Sequence, residues 1–216
     1  MSVFETYQKR RAVVEFDKNV IIPKGEIETM IARAWKVTPS KNNFMPYSIF
    51  VLGPEHQTYK EEIFQLCLSN ENRIDGTDTA LKYEDQDPFY SNILSCSHLL
   101  VFTLRLEDKP NIFQKSAMLR GCKFEATQES TLQSGYSTAS LETGMFADIL
   151  GGLAIENGYD VSHVLCFERN LSCWSNIPFV TRTPILLMPI GKAKRYKIAM
   201  GSNRRPNLDR IVNFVS

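Results

Sequence analysis

Adjacent arginines stand near both ends of this 216-residue chain, as Arg10-Arg11 and Arg204-Arg205, and a lysine, Lys41, lies in a polar loop between them. A guanidinium is a planar fork of N–H donors that matches the oxygens of a phosphate two at a time. Either pair alone is what a solvated face carries; if the fold brought the three basic points together they would form a cradle for a polyanion. The loop itself reads Thr38-Pro39-Ser40-Lys41-Asn42-Asn43-Phe44-Met45-Pro46-Tyr47 and runs into Ser48-Ile49-Phe50-Val51-Leu52. Hydroxyl, amide and ammonium groups held at the start of a strand can be aimed at a ligand.

Other chemistries lack their parts. The five cysteines (Cys67, Cys96, Cys122, Cys166, Cys173) form no C-x-x-C pair and there are three histidines, so no metal site is expected. The thiols are expected to be reduced and mostly buried, as in a cytoplasmic protein. No Ser-His-Asp set, Walker loop or H-E-x-x-H motif is present. A net charge of +1 gives no global attraction to nucleic acid or an anionic membrane. No apolar run approaches about 18 residues, which argues against a membrane span. No apolar stretch follows a basic start, so no signal peptide is expected. With 43% hydrophobic and 23% charged residues, the chain suits one domain over 1–216.

The elements that must position these groups follow from periodicity. Ser2-Val3-Phe4-Glu5 reads as a capping box opening a helix that ends near Arg10–Ala12. Residues 13–23 read as extended. Ile27, Met30, Ile31 and Ala34 recur at helical spacing, and that helix must stop before Thr38-Pro39. A strand over 47–53, a helix over 55–69 facing Tyr59, Ile63, Leu66 and Cys67 inward, and a polar surface excursion over 70–88 come next. A short helix at 89–95 delivers His98–Leu104, apolar enough to be a central strand covered on both faces, with His98 a core or strand-edge residue. Helical pieces are expected within 111–124 and a mobile loop or lid over 125–137. A long apolar helix spans Ser140–Asn157 with Gly158 as its cap, and the glycines within it, Gly144, Gly151 and Gly152, suggest either close packing against another backbone or plain core packing within the monomer. Val161–Phe167 and Thr183–Pro189 read as strands, and the tail runs from Arg204-Arg205-Pro206 into Ile211–Val215.

Taken in order, these features resemble the nitroreductase family of flavin enzymes: the Arg pair, a P-S-x-x-N-x-x-P-aromatic loop over Pro39–Tyr47, a strand preceded by Ser97-His98, a long helix ending in glycine, a strand pair and a basic C-terminal arm. The resemblance implies an α+β fold, a central mainly antiparallel or mixed sheet flanked by helices, in an intertwined homodimer with exchanged C-terminal arms. It implies FMN, bound between subunits. Arg10, Arg11 and the Ala12 position would hold its phosphate and ribityl chain, joined by Arg204 or Arg205. Pro39, Ser40, Lys41 and Asn43 would meet the flavin of the neighbouring subunit, Asn92 would stand in for a polar group before the Ser-His strand, and the backbone around Leu165 and Cys166 would approach the ring. The implied activity is ping-pong reduction of nitroaromatics, quinones or similar electron-poor acceptors by NAD(P)H, with no catalytic side chain because the cofactor carries the reaction. Substrate choice would fall to the variable excursion over about 107–137. Ala12 and Val14 stand where the family has Ser and a basic residue, and Cys166 where it has Gly; Cys166 itself reads as a packing residue. Two alternatives stand beside this reading: other flavin chemistry on the same fold, such as dehalogenation, enone reduction or flavin breakdown, and, motivated by those departures, a divergent member that binds flavin weakly or not at all and serves as a binding or regulatory protein.

Overall fold

A computed structural model describes residues 3–40, 44–75, 91–105, 109–110, 112–123 and 138–196. In chain order these form α1 (Val3–Lys9), β1 (Val13–Phe16), α2 (Lys24–Val37), β2 (Tyr47–Leu52), a 3-10 turn (Pro54–His56), α3 (Gln57–Asp75), α4 (Ser91–Ser95), β3 (His98–Leu104), α5 (Ile112–Leu119), α6 (Thr138–Glu156), β4 (Asp160–Val161), a second 3-10 turn (Leu171–Trp174), β5 (Pro184–Gly191) and β6 (Ala193–Tyr196). The expected cap at Ser2, the loop residues Lys41–Asn43, the lid at 125–137 and the basic arm with Arg204 and Arg205 lie outside the described residues.

The main sheet is antiparallel, in the order β2-β3-β5-β4, and its faces are covered by different helices. Because side chains alternate across a strand, β3 and β5 divide their apolar residues between two cores. Leu100, Phe102, Leu186, Met188 and Ile190 pack on Ile27, Met30 and Ala34 of α2 and on Phe146, Leu150 and Ala154 of α6. Leu99, Val101 and Leu187 face Ile63 and Cys67 of α3, Ile93 of α4, Phe167 and Trp174. Each such buried side chain contributes about 1.5–3 kcal/mol of transfer free energy, so β3, buried from His98 to Thr103, and β5, buried from Leu186 to Gly191, anchor the sheet. A separate two-stranded sheet pairs β1 with β6.

Several boundaries differ from expectation. The strand expected over 161–167 shrinks to Asp160–Val161. Its register against β5 continues, since the Ser162 amide donates to the Pro189 carbonyl at 3.0 Å and Val164 exchanges hydrogen bonds with Leu187. Pro189 has no N–H to return, so the ladder is broken there, and the chain leaves the sheet at Leu165. Helix α3 runs through Asp75, into what read as a surface excursion. Strand β6 had no sequence signal. The thiols are not mostly buried: Cys67 and Cys96 are, whereas Cys122, Cys166 and Cys173 are exposed. Cys166 is therefore no packing residue, because it lies just past the point where the chain departs from β5. The end of α6 is as expected, Gly158 at φ +82° closing the helix while the Tyr159 amide donates back to the Ala154 carbonyl at 2.9 Å.

Candidate functional site

Tyr7 and Arg10 are one helical turn apart at the end of α1, on the side that meets α6. Their common target is Asp148, an acid in the middle of an otherwise apolar stretch of that helix. The Tyr7 hydroxyl donates to Asp148 Oδ2 at 2.7 Å, and Arg10 Nη1 donates to Oδ1 at 2.9 Å. Burial first, and then the bond to the Asp148 carboxylate, push the Tyr7 phenol up to about 12. The second guanidinium nitrogen, Nη2, lies 3.0 Å from Nδ1 of His163. A guanidinium has only donors, so in this contact Nδ1 accepts and the proton of the neutral ring sits on Nε2. Burial, followed by the Arg10 charge, holds His163 below the ordinary histidine value, and the ring is neutral at pH 7. Gly151 makes the geometry possible: a Cβ there would stand 3.3 Å from Val161 Cγ2, so its absence lets α6 close on β4.

Beside this network opens a cleft of about 750 Å³, with Tyr7, Gln8, Arg10, Arg11 and Ala12 on one wall and Val161, Ser162 and His163 on the other. Arg11 lies over the Tyr196 ring at 5.9 Å and has no carboxylate partner among the described residues. Two of the five guanidinium N–H groups of Arg10 are used by Asp148 and His163. Of the sequence candidates, Arg10, Arg11 and Ala12 thus share one cleft. Leu165 and Cys166 follow its other wall, exposed, and neither amide donates to a described backbone carbonyl.

Asn92 does not line that cleft. It is buried behind it, where Nδ2 donates to the Val13 carbonyl at 3.1 Å and to Ser162 Oγ at 3.0 Å. Its Oδ1 is buried with no partner among the described residues. Asn92 therefore braces β1 against the segment that carries Ser162 and His163.

Pro39 and Ser40 lie elsewhere. Ser40 Oγ donates to Glu142 Oε2 at 2.6 Å and accepts from the Met45 amide at 2.8 Å. Met45 has φ 46°, a left-handed conformation that Arg105 braces by donating from Nε to the Met45 carbonyl at 2.8 Å and from Nη2 to the Phe44 carbonyl. Glu142 precedes Asp148 by six residues on α6, about 9 Å along the axis and on a different face. Within one subunit the Arg10 cleft and the Ser40 loop are therefore separate. Near the loop an apolar groove of about 590 Å³ is lined by Ile31, Trp35, Met45, Tyr47, Ile49 and Phe146, with Arg105 at its edge. Sequence reasoning missed Asp148, His163, Glu142 and Arg105; the two acids were visible as isolated charges in an apolar helix. Among the described residues no group of His, Cys, Asp and Glu is placed to hold a metal ion, and no helix is long and apolar enough to cross a membrane.

No protein-family model and no curated protein matches the sequence. Solved structures do. A Staphylococcus epidermidis protein assigned as an NAD(P)H:FMN oxidoreductase superposes with a TM-score of 0.68 at 19% identity, over 99% of this chain and 96% of that one. An Exiguobacterium sibiricum protein assigned as a nitroreductase, solved with FMN, gives 0.68 at 18% identity, over 100% and 98%. An enone reductase of a gut-bacterial fatty acid saturation metabolism gives 0.64 at 16%, over 100% and 98%. The likeness spans the whole chain and agrees with the motif order in the sequence: this protein has the nitroreductase fold.

Proposed function

We propose that the protein is an FMN-dependent oxidoreductase that uses NAD(P)H to reduce electron-poor acceptors such as nitroaromatics or quinones. The observation that carries this reading is the Arg10–Arg11 cleft, set beside the exposed, hydrogen-bond-poor backbone of Leu165 and Cys166. Its residues fit a flavin mononucleotide. Among the described residues Arg11 has no competing carboxylate and Arg10 keeps three N–H groups beyond those it spends on Asp148 and His163, and the volume lies in the range of small-molecule sites. Arg10 and Arg11 would hold the phosphate, and the Leu165 and Cys166 amides offer donors to the polar edge of the ring. Asp148 partly offsets Arg10, so Arg11 bears much of the anion's charge. When bound, the flavin supplies two-electron chemistry between a nicotinamide and the acceptor; the protein's part is to orient both and to exclude water.

The complete site is proposed to need a second copy of the chain. Helix α6, mostly apolar, presents Leu141, 65% exposed, together with Gly144, where a Cβ would meet nothing within 4 Å. Strand β2 is a sheet edge beside the groove that leaves Trp35 60% exposed. An open edge and two apolar faces are what a partner subunit covers, and the Ser40 loop, remote from its own Arg10 cleft, would then serve the partner's.

Purified protein should absorb near 370 and 450 nm, about where oxidised flavin does, or gain those bands on reconstitution with FMN. Mixing with NADH or NADPH under anaerobic conditions should bleach them, and a nitroaromatic or quinone should restore them. A colourless protein that FMN cannot reconstitute overturns the proposal. Recovery with an α,β-unsaturated ketone but not with a quinone favours enone reduction, the activity carried on this fold by one of its structural neighbours. A solution mass close to that of a single 24.7 kDa chain would refute the dimer.

A further inference from the structure

We infer that His163 is a positioning residue: accepting on Nδ1 from Arg10, it fixes the Arg10 fork at the cleft for a phosphate-bearing ligand. The inference rests on the FMN reading above and adds to it a residue that no sequence motif marked.

An arginine held through one nitrogen can pivot about that bond. Arg10 is held through two, Nη1 by Asp148 at 2.9 Å and Nη2 by His163 at 3.0 Å, which fixes the plane of the guanidinium. The two anchors differ in charge. A second carboxylate would cancel the charge that an incoming phosphate needs, whereas a neutral imidazole accepts the hydrogen bond and leaves that charge in place.

Protonation ends the arrangement. The imidazolium has only donors, so a cation would then face the Arg10 cation across 3.0 Å, and one of them must leave. The groups facing the ring are Arg10 from α1, with Tyr7 behind it on Asp148, and Asp148 from α6. On its own segment, Asp160 is turned to Tyr196 and to the Ala193 amide. Among the described residues Asp148 is the one anion within reach of both cations, and it cannot serve both in full. Phosphate affinity therefore falls as the ring takes up its proton, below the ordinary histidine range.

The test is FMN affinity of the full-length protein, read by quenching of flavin fluorescence, for wild type, His163→Asn and His163→Leu. Asparagine Oδ1 occupies the place of Nδ1 and accepts at every pH; leucine accepts nothing. At pH 7.5 the Leu variant should bind about tenfold more weakly, the scale of losing one well-placed charged contact, and the Asn variant within about twofold of wild type. From pH 8 to pH 5 the wild type should lose affinity relative to Asn once the pH has fallen below the ordinary histidine value. The flavin phosphate also titrates near pH 6, but equally for both proteins, so it drops out of the ratio. Leu binding as tightly as Asn, or a wild-type to Asn ratio that is flat or rises toward acid, overturns the inference. If near-UV circular dichroism shows the Leu variant unfolded, the wild-type to Asn ratio decides by itself. Wild type that takes up no FMN overturns the flavin reading instead. The 15N resonances of His163 then judge the ring: an unprotonated Nδ1 that responds to Arg10→Ala supports the anchor, and an Nδ1–H tautomer refutes it.

Discussion

Removing the Arg10 side chain separates a binding role from a folding one. In Arg10→Ala the flavin phosphate loses a charge-assisted contact, typically about 1.5–3 kcal/mol, toward the lower end here because the side chain is 40% exposed and shares its charge with Asp148. The same change leaves Asp148 as an uncompensated carboxylate at the cleft. At roughly 6 Å from a phosphate in water-like screening this adds about 0.7 kcal/mol of repulsion per unit charge. The sum, about 2–3 kcal/mol, is a weakening of FMN binding on the order of 30- to 150-fold. Folding should hardly notice, because a pair exposed to 40% and 47% contributes about 1 kcal/mol at most, or about 2–4 °C in Tm for a domain of this size. Fluorescence titration with FMN alongside thermal unfolding measures both numbers. The double variant Arg10→Ala, Asp148→Asn should recover the repulsive part, about threefold. Unchanged affinity in Arg10→Ala would remove Arg10 from the phosphate site, and a Tm drop of more than about 10 °C would mean that the network holds the fold.

Other expectations address the frame around the site. Trp174 is 1% exposed, meets Phe167 edge-on at 5.9 Å and donates its indole N–H to the Glu168 carbonyl at 2.7 Å; Trp174→Ala should cost about 3–5 kcal/mol in urea unfolding, and a loss under 1 kcal/mol would contradict this packing. His98 is buried, and burial followed by the Lys60 charge holds it below the ordinary histidine value. The unfolded chain therefore binds the His98 proton more readily, so stability falls as pH drops below about 6.5; His98→Gln should flatten that slope in urea midpoints taken between pH 5 and 8, and an unaltered slope would exclude His98 as its source. Iodoacetamide should label Cys122, Cys166 and Cys173 in the native protein and reach Cys67 and Cys96 only after unfolding. FMN should slow labelling of Cys166 alone among the three, as mass spectrometry of the peptides would report, and equal rates with and without FMN would separate Cys166 from the flavin.

The long, periodic elements were legible because burial wrote them into the sequence. The helical spacing of Ile27, Met30, Ile31 and Ala34, the unbroken apolar run of β3 and the glycine end of α6 all matched the structure to within a few residues. Errors came where a partner decides the outcome. Val161–Phe167 has the composition of a strand, but its pairing fails at Pro189, a residue on a different strand. Lys60 is 1% exposed because its ammonium reaches the Cys96 and Ser97 carbonyls, an arrangement that no helical pattern on α3 could announce.

Sequence alone determined most of the order of the elements, a central strand covered on both faces and the arginine pair at the end of α1, since hydrophobic period, caps and residue chemistry are local properties. Tertiary structure decided what the arginines face. Asp148 is 138 residues from Arg10 and His163 is 153 residues away, and they meet because α6 packs closely against β4 at Gly151. The same packing sends the Ser40 loop to another face of α6, at Glu142, away from the cleft its motif suggested. Which charges sit together depends on helix phase and sheet register, and those are properties of the packed chain.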